Sequence, residues 1–244
     1  MKKGQPNLRD YKPPTTPYPS LAPEKKLWRK GFKRVAGLDE AGRGPLSGPV
    51  IAAAVIIKPG LKWKFKHLQL RDSKKLTPKK REDLYKLIIK HPQIEWGIGK
   101  VSEKVIDRIN ILEATKVAMK KALENLNKKL LYHKFYDRRK CGIVDFLVLD
   151  GKMKLDLPIP QKAIVKADMK VFSCAAASII AKVTRDRIME RYHKKYPRYG
   201  FNKHKGYPTK YHLKMLKKYG RCAIHRKSFH YGGTKEETSK REKK

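Results

Sequence analysis

The 244-residue chain carries 61 Lys+Arg against 22 Asp+Glu, a formal net charge of +39 distributed from end to end. That length suits one well-buried domain, and that charge selects polyanions as partners, nucleic acid foremost, while saying nothing about fold. No run approaches the roughly 20 apolar residues that span a bilayer, and no apolar segment follows the basic N-terminus. The expectation is a soluble, cytoplasmic, monomeric protein. Cys141, Cys174 and Cys222 are odd in number and contain no CxxC pair, which excludes a disulfide framework and a four-cysteine zinc site. Cys222 with His225 and His230 has a metal-like spacing but no second pair.

In chain order, residues 1 to about 30 hold Pro6, Pro13, Pro14, Pro17, Pro19 and Pro23 among basic residues, and read as a disordered arm. Arg34 to Asp39 and the apolar run Pro49 to Ile57 predict two buried strands. Thr77-Pro78 followed by Leu84, Leu87 and Ile88 predicts an N-capped helix, and Ile94 to Val101 a third strand. A helix is expected over Ile109 to Leu126, a strand over Ile143 to Leu149 that ends on Asp150-Gly151, and a short strand over Ala163 to Lys166. Phe172, Ala176, Ile179 and Val183 fall at helical spacing and predict a long helix to about Tyr192. A last helix is expected over about Thr209 to Tyr219, and residues 232–244 form a charged tail. The folded domain is thus 31–231, an α/β protein with a mixed sheet flanked by helices and a C-terminal helical segment.

In so basic a chain the acids are informative. Asp39 and Glu40 stand where an apolar strand stops, and neighbours in an unbroken strand face opposite sides, so both serve one site only if the strand ends beside them. Gly42 and Gly44 supply that break and let backbone approach a ligand. Asp150 also closes a strand, and Asp168 ends a short strand before the long helix. Four carboxylates at one rim repel unless cations neutralise them. Oxygen ligands of this kind select Mg2+ or Mn2+, and two such ions about 3.5–4 Å apart suit phosphodiester cleavage. A helix cap or turn role accounts equally well for Asp168 taken alone. Asp186, among Lys182, Arg185, Arg187 and Glu190, has the pattern of a solvated ion-pair face and is set aside.

The segments GLDEAGRGPLSGPVIAAAVII, DSKKLTPKKRE, VLDG, KADMKVFSCAAASIIAKVTRDR and HKGYPTKYHL resemble bacterial ribonuclease HII, in order, over about residues 34 to 229. The resemblance implies a ribonuclease H-like fold and hydrolysis of the RNA strand of RNA/DNA hybrids, leaving 3'-hydroxyl and 5'-phosphate ends. It also implies incision 5' of ribonucleotides embedded in duplex DNA. By motif, Asp39, Glu40, Asp150 and Asp168 are similar to the family's catalytic metal ligands. Gly42, Arg43 and Gly44 resemble its reader of the ribose at the RNA-to-DNA junction, where the 2'-hydroxyl marks RNA. Tyr207 resembles a tyrosine that stacks on the following deoxyribose, a core aromatic being the alternative. Ser73 and Lys74 resemble phosphate contacts, or a loop that caps a helix. Ser178 is either a substrate contact or a small packing residue, and Arg43 is held by substrate or by local acids. KAD departs from the commoner KGD beside the ligand rather than at it. The related ribonuclease HIII class has a glutamate as fourth acid and an added platform domain, so Asp168 favours HII. A noncatalytic hybrid-binding protein and a junction resolvase of the same fold are the rival readings.

Overall fold

The computed structural model describes residues 19–60, 76–132 and 144–231. Among these, five strands form one mixed sheet: β1 (Val35–Ala41), β2 (Val50–Ile57), β3 (Ile94–Val101), β4 (Phe146–Asp150) and β5 (Gln161–Ile164), in the order β3-β2-β1-β4-β5. The first three strands are antiparallel neighbours, whereas β4 and β5 run parallel to β1. The helices are α1 (Ala22–Arg29), α2 (Pro78–Lys90), α3 (Glu103–Tyr132), α4 (Phe172–Lys195), α5 (Phe201–His204) and α6 (Lys210–Tyr219). No described helix is long and apolar enough to cross a membrane.

Strand alternation sorts the core onto two faces. Ala36, Leu38, Ala52, Ala54, Leu147 and Leu149 point to α3, where they meet Ala114, Ala118, Ala122 and Leu126. Ile51, Ala53 and Val55 point the other way, to Ala175, Ala176, Ile179 and Ile180 of α4, with Val35, Phe146 and Val148 beside them against Cys174 and α1. Small residues set the spacing. A Cβ on Gly37 would lie 2.4 Å from Ser173 Oγ and 2.5 Å from the Cys174 amide, and one on Gly99 would lie 1.9 Å from the Ala118 carbonyl, so both helices rest directly on the sheet.

Local chemistry fixes the helix ends. Thr77 accepts the Lys80 amide and Thr209 the His212 amide, each as an N-cap. Within α3, Asn110 leaves helical geometry at φ 63°, ψ 169°, and its Oδ1 accepts the Leu112 and Glu113 amides at 2.9 and 3.1 Å. It therefore caps a second helix that starts at Ile111, a break invisible to the apolar periodicity that placed one helix over Ile109 to Leu126. The strand expected over Ala163 to Lys166 lies two residues earlier, at Gln161–Ile164.

The arm expected over 1–30 needs correction in its last third. Pro23 occupies the first turn of α1, where a missing N–H costs nothing, and Leu27 and Glu24 of that helix are buried. Glu24 Oε1 accepts both the amide and the hydroxyl of Ser173 at 2.8 Å, which ties α1 to the start of α4. Residues 1–18 of the arm, and the 232–244 tail, lie outside the described residues.

Candidate active site

β1 and β4 run parallel with Leu38 opposite Leu149, so the next residues, Asp39 and Asp150, end up side by side. Both follow Val148 and Gly37 in the alternation, on the α4 side of the sheet. β5 then delivers the chain to a 3-10 turn, Ala167–Met169, that carries Asp168. Asp168 therefore sits in a turn rather than at a strand end. The three carboxylates bring ligand atoms within 4.8 Å of one another, with Asp39 and Asp168 buried. The Asp39 carboxyl is held well above the usual carboxylate range, first by burial and then by the charges of Glu40 and Asp150, with hydrogen bonds from Ser178 and the Glu40 amide opposing the shift. The Asp39 anion is thus disfavoured there without a counter-charge, which is what a hard divalent cation would supply.

Glu40 occupies a different position. β1 continues through Ala41, so Glu40 turns to the opposite face from Asp39, as strand alternation requires. It lines the same cleft but stands outside the three-acid cluster, with Oε1 3.5 Å from Arg43 Nη1. Local acid thus holds Arg43, whose side chain is 47% exposed. Ser178 reaches from α4 to Asp39, so its hydroxyl orients a carboxylate and is more than helix packing.

The cleft has a volume of about 490 Å³ and is lined by Asp39, Glu40, Gly42, Arg43, Gly44, Asp150, Ser178, Lys182 and Tyr207, together with Ile111 at the capped break of α3. Gly42 adopts φ +99°, and a Cβ there would lie 2.1 Å from Arg185 Nε, so only glycine fits. Tyr207 is 41% exposed and faces Gly44, which rejects the core-aromatic alternative. Ser73 and Lys74 lie outside the described residues.

Sequence reading missed three residues here. Lys182 lines the cleft and bonds Asp186 Oδ1 at 2.7 Å, which leaves Asp186 away from the acid cluster. Arg185, assigned with its neighbours to a solvated face, is 1% exposed, and Arg226 is equally buried. Helical charge spacing cannot distinguish a solvated arginine from a buried one. A glycine-rich loop with many carbonyls to satisfy was the available signal.

The Cys222 and His225 pair expected to lack a metal partner set forms a hydrogen-bonded chain instead. The Cys222 amide donates to His225 Nδ1 at 2.9 Å, and His225 Nε2 meets His212 Nε2 at 3.0 Å. His212 Nδ1 in turn lies 2.9 Å from the Tyr207 carbonyl, so every ring nitrogen of the two histidines is used.

A mixed five-stranded sheet flanked by helices, with acids gathered at the end of β1 and its parallel neighbour, defines a ribonuclease H-like enzyme. The ribonuclease H2 of Pyrococcus horikoshii OT3 superposes with a TM-score of 0.63 at 28% identity, covering 86% of this chain and 99% of that one. The family model for ribonuclease HII matches residues 36–231. Ribonuclease HII of Chlamydia trachomatis serovar A is 48% identical over 206 residues, 84% of this chain and 86% of that protein. The enzyme of Acetivibrio thermocellus is 50% identical over 206 residues, 84% of this chain and 73% of that protein. The chain belongs to the ribonuclease HII family, and it is a hydrolase of the ribonuclease H class.

Proposed function

We propose that this enzyme hydrolyses the RNA strand of RNA/DNA hybrids and incises 5' of ribonucleotides embedded in duplex DNA, leaving 3'-hydroxyl and 5'-phosphate ends. The observation that supports it best is the placement of the three-acid cluster and the Gly42-Arg43-Gly44 ribbon in one cleft, with Tyr207 across from Gly44. Acids that attract a cation stand beside a backbone that can meet a 2'-hydroxyl. The ring of Tyr207 offers a flat surface for the next sugar, where an added hydroxyl would clash.

The donor set fits Mg2+ or Mn2+, because it consists of carboxylate oxygens alone and one member is unstable as an anion without a cation. Asp39, Asp150 and Asp168 would hold the metal, with Glu40 at the margin completing a site for a second ion. Bound divalent ions supply an activated water and counter-charge for the leaving oxygen. The chain's own residues do the positioning. Ser178 aims Asp39, and Lys182 brings a cation to the cleft wall for the phosphodiester. The surrounding surface, with the chain at +39, draws the duplex in. The unpaired thiols Cys174 and Cys222 suit a reducing cytoplasm, where we place the protein as a monomer.

The deciding experiment offers purified protein, with Mg2+ or Mn2+, a duplex containing one ribonucleotide and its all-DNA counterpart. A cut on the 5' side of the ribonucleotide alone is expected. An intact ribonucleotide duplex, or equal cutting of both, overturns the reading.

A further inference from the structure

Behind the cleft lie two buried cations, and their hydrogen bonds end on backbone carbonyls rather than acids. Arg185, on α4, donates from Nε to Pro49 O at 3.1 Å, from Nη1 to Lys205 O at 2.9 Å and from Nη2 to Ser47 O at 3.0 Å. Arg226 donates from Nε to Gly48 O at 3.0 Å, from Nη1 to Arg43 O at 2.9 Å, and from Nη2 to Gly42 O and Gly48 O. Each is 1% exposed. Burying a guanidinium without a carboxylate is costly, and the cost registers as Arg226 pushed down to about 9 by burial and then by the Arg185 charge. An apolar pair would fill the volume at less expense, but it could not grip a loop.

What Arg226 grips is the ribbon between β1 and β2. In a trans peptide the carbonyl of one residue and the amide of the next point in opposite directions. With the Gly42 and Arg43 carbonyls drawn inward to Arg226, the amides of Arg43 and Gly44 are turned outward, and both residues line the cleft. Neither amide donates to a backbone acceptor among the described residues. Two successive outward amides form a concave donor site for an oxygen.

We propose that Arg226 is the positioning residue for ribose selection: its planar fork holds the Gly42-Arg43-Gly44 ribbon so that consecutive amides face the sugar-phosphate at the cut site. Arg226 acts through the ribbon and does not touch substrate. A lysine cannot replace it, since one ammonium lacks the flat array of donors that spans three carbonyls. Arg185 grips Ser47, Pro49 and Lys205 instead, so it anchors the far end of the loop.

The inference rests on the ribonucleotide reading above, and the test separates the two. Arg226→Lys and Arg185→Lys are compared with the unmodified enzyme for kcat on a duplex with one ribonucleotide, for the inhibition constant of the all-DNA duplex, and for Tm. Displacing the ribbon costs kcat about 100-fold in R226K, while the all-DNA inhibition constant stays within about twofold and R185K loses less than a tenth as much. An R226K enzyme with undiminished kcat overturns the proposal. So does a loss shared equally by R185K, a parallel weakening of all-DNA binding, or an R226K chain that does not fold, since each makes Arg226 a general structural residue. If the unmodified enzyme leaves the ribonucleotide duplex intact, the functional reading fails instead.

Discussion

Asp150 Oδ1 accepts the Ala167 amide at 2.5 Å, so the end of β4 directly pins the turn that carries Asp168. If Asp150 is a metal ligand as proposed, one carboxylate would serve the ion through one oxygen while it holds the backbone beside Asp168 through the other. The two roles separate by substitution. Asp150→Asn keeps a carbonyl oxygen for the buried Ala167 amide and loses the charge, so Tm should move little. Activity should fall by more than the roughly 10–100-fold typical of a metal's outer shell. Asp150→Ala removes both, and the orphaned amide costs a further 1–3 kcal/mol, roughly. Thermal melts alongside cleavage rates check this. Equal Tm values for the two variants would show that the tether contributes nothing.

Crowded carboxylates make the site a source of instability until a cation arrives. Burial and the charges of Glu40 and Asp150 raise the Asp39 carboxyl, so Asp39→Asn should raise Tm in a chelator while abolishing cleavage. Saturating Mg2+ or Mn2+ should raise the Tm of the unmodified enzyme, because a ligand that binds only the folded state stabilises it by mass action, about 2.7 kcal/mol at a hundredfold excess over Kd. The same ions should leave Asp39→Asn nearly unmoved. A metal-dependent rise of equal size in both proteins would place the binding elsewhere.

Glu24 gives the fold a pH dependence of its own. Burial raises its carboxyl to about 7 against hydrogen bonds from Ser173, and Oε2 has no hydrogen-bond partner among the described residues. The folded chain therefore binds this proton more tightly than the unfolded one. Its contribution is full below about 4.5 and declines as pH rises toward about 7, an effect on the order of 3 kcal/mol at one pKa unit per 1.36 kcal/mol. Glu24→Gln should keep the Ser173 contacts and flatten the slope, ending more stable than the parent at pH 8. Denaturant melts of both proteins at pH 5 and pH 8 measure the difference. A parent as stable at pH 8 as the variant contradicts the burial argument.

Much of this architecture was legible because it depends on short-range rules. The apolar run ending in Asp39 and the Thr77-Pro78 cap translate directly into β1 and α2. Asp150 likewise stands where β4 stops. The misses share a cause, since each depends on what lies across the fold. Proline density concealed α1, whose stability comes from Leu27 in the core and Glu24 on Ser173. The Asn110 break interrupts no apolar period. Glu40 shows the subtlest case: the glycines that were to end the strand come one residue too late, because β1 pairs with β2 as far as Ala41 opposite Ile51. Arg185 and Arg226 need a loop 136 and 178 residues away in sequence to explain them.

The His212 and His225 pair should make the Tyr207 side of the cleft acid-labile. His212 Nδ1 lies 2.9 Å from the Tyr207 carbonyl, so it takes the donor role there, and its Nε2 is left to accept from His225 Nε2. His225 Nδ1 then accepts from the Cys222 amide. The chain closes only with both rings neutral. Burial pushes both down to about 4, helped for His212 by His204 and for His225 by His212, Arg221 and His204. Tyr199 and Phe201 pack against these rings and offer no charge to offset a proton. The unfolded chain binds these protons more readily, so stability is fully present above about 6.5 and is lost as pH falls toward about 4. In a Glu24→Gln background, which removes the opposing contribution of Glu24 over the same range, melts between pH 7 and pH 4.5 should show that decline, with a shallower slope when His225→Gln is added. Cleavage should fall over the same range and recover on return to pH 7, because releasing His212 frees the backbone that holds Tyr207. A Tm independent of pH across that range would mean that the pair stays neutral without cost, and the link to Tyr207 would fall with it.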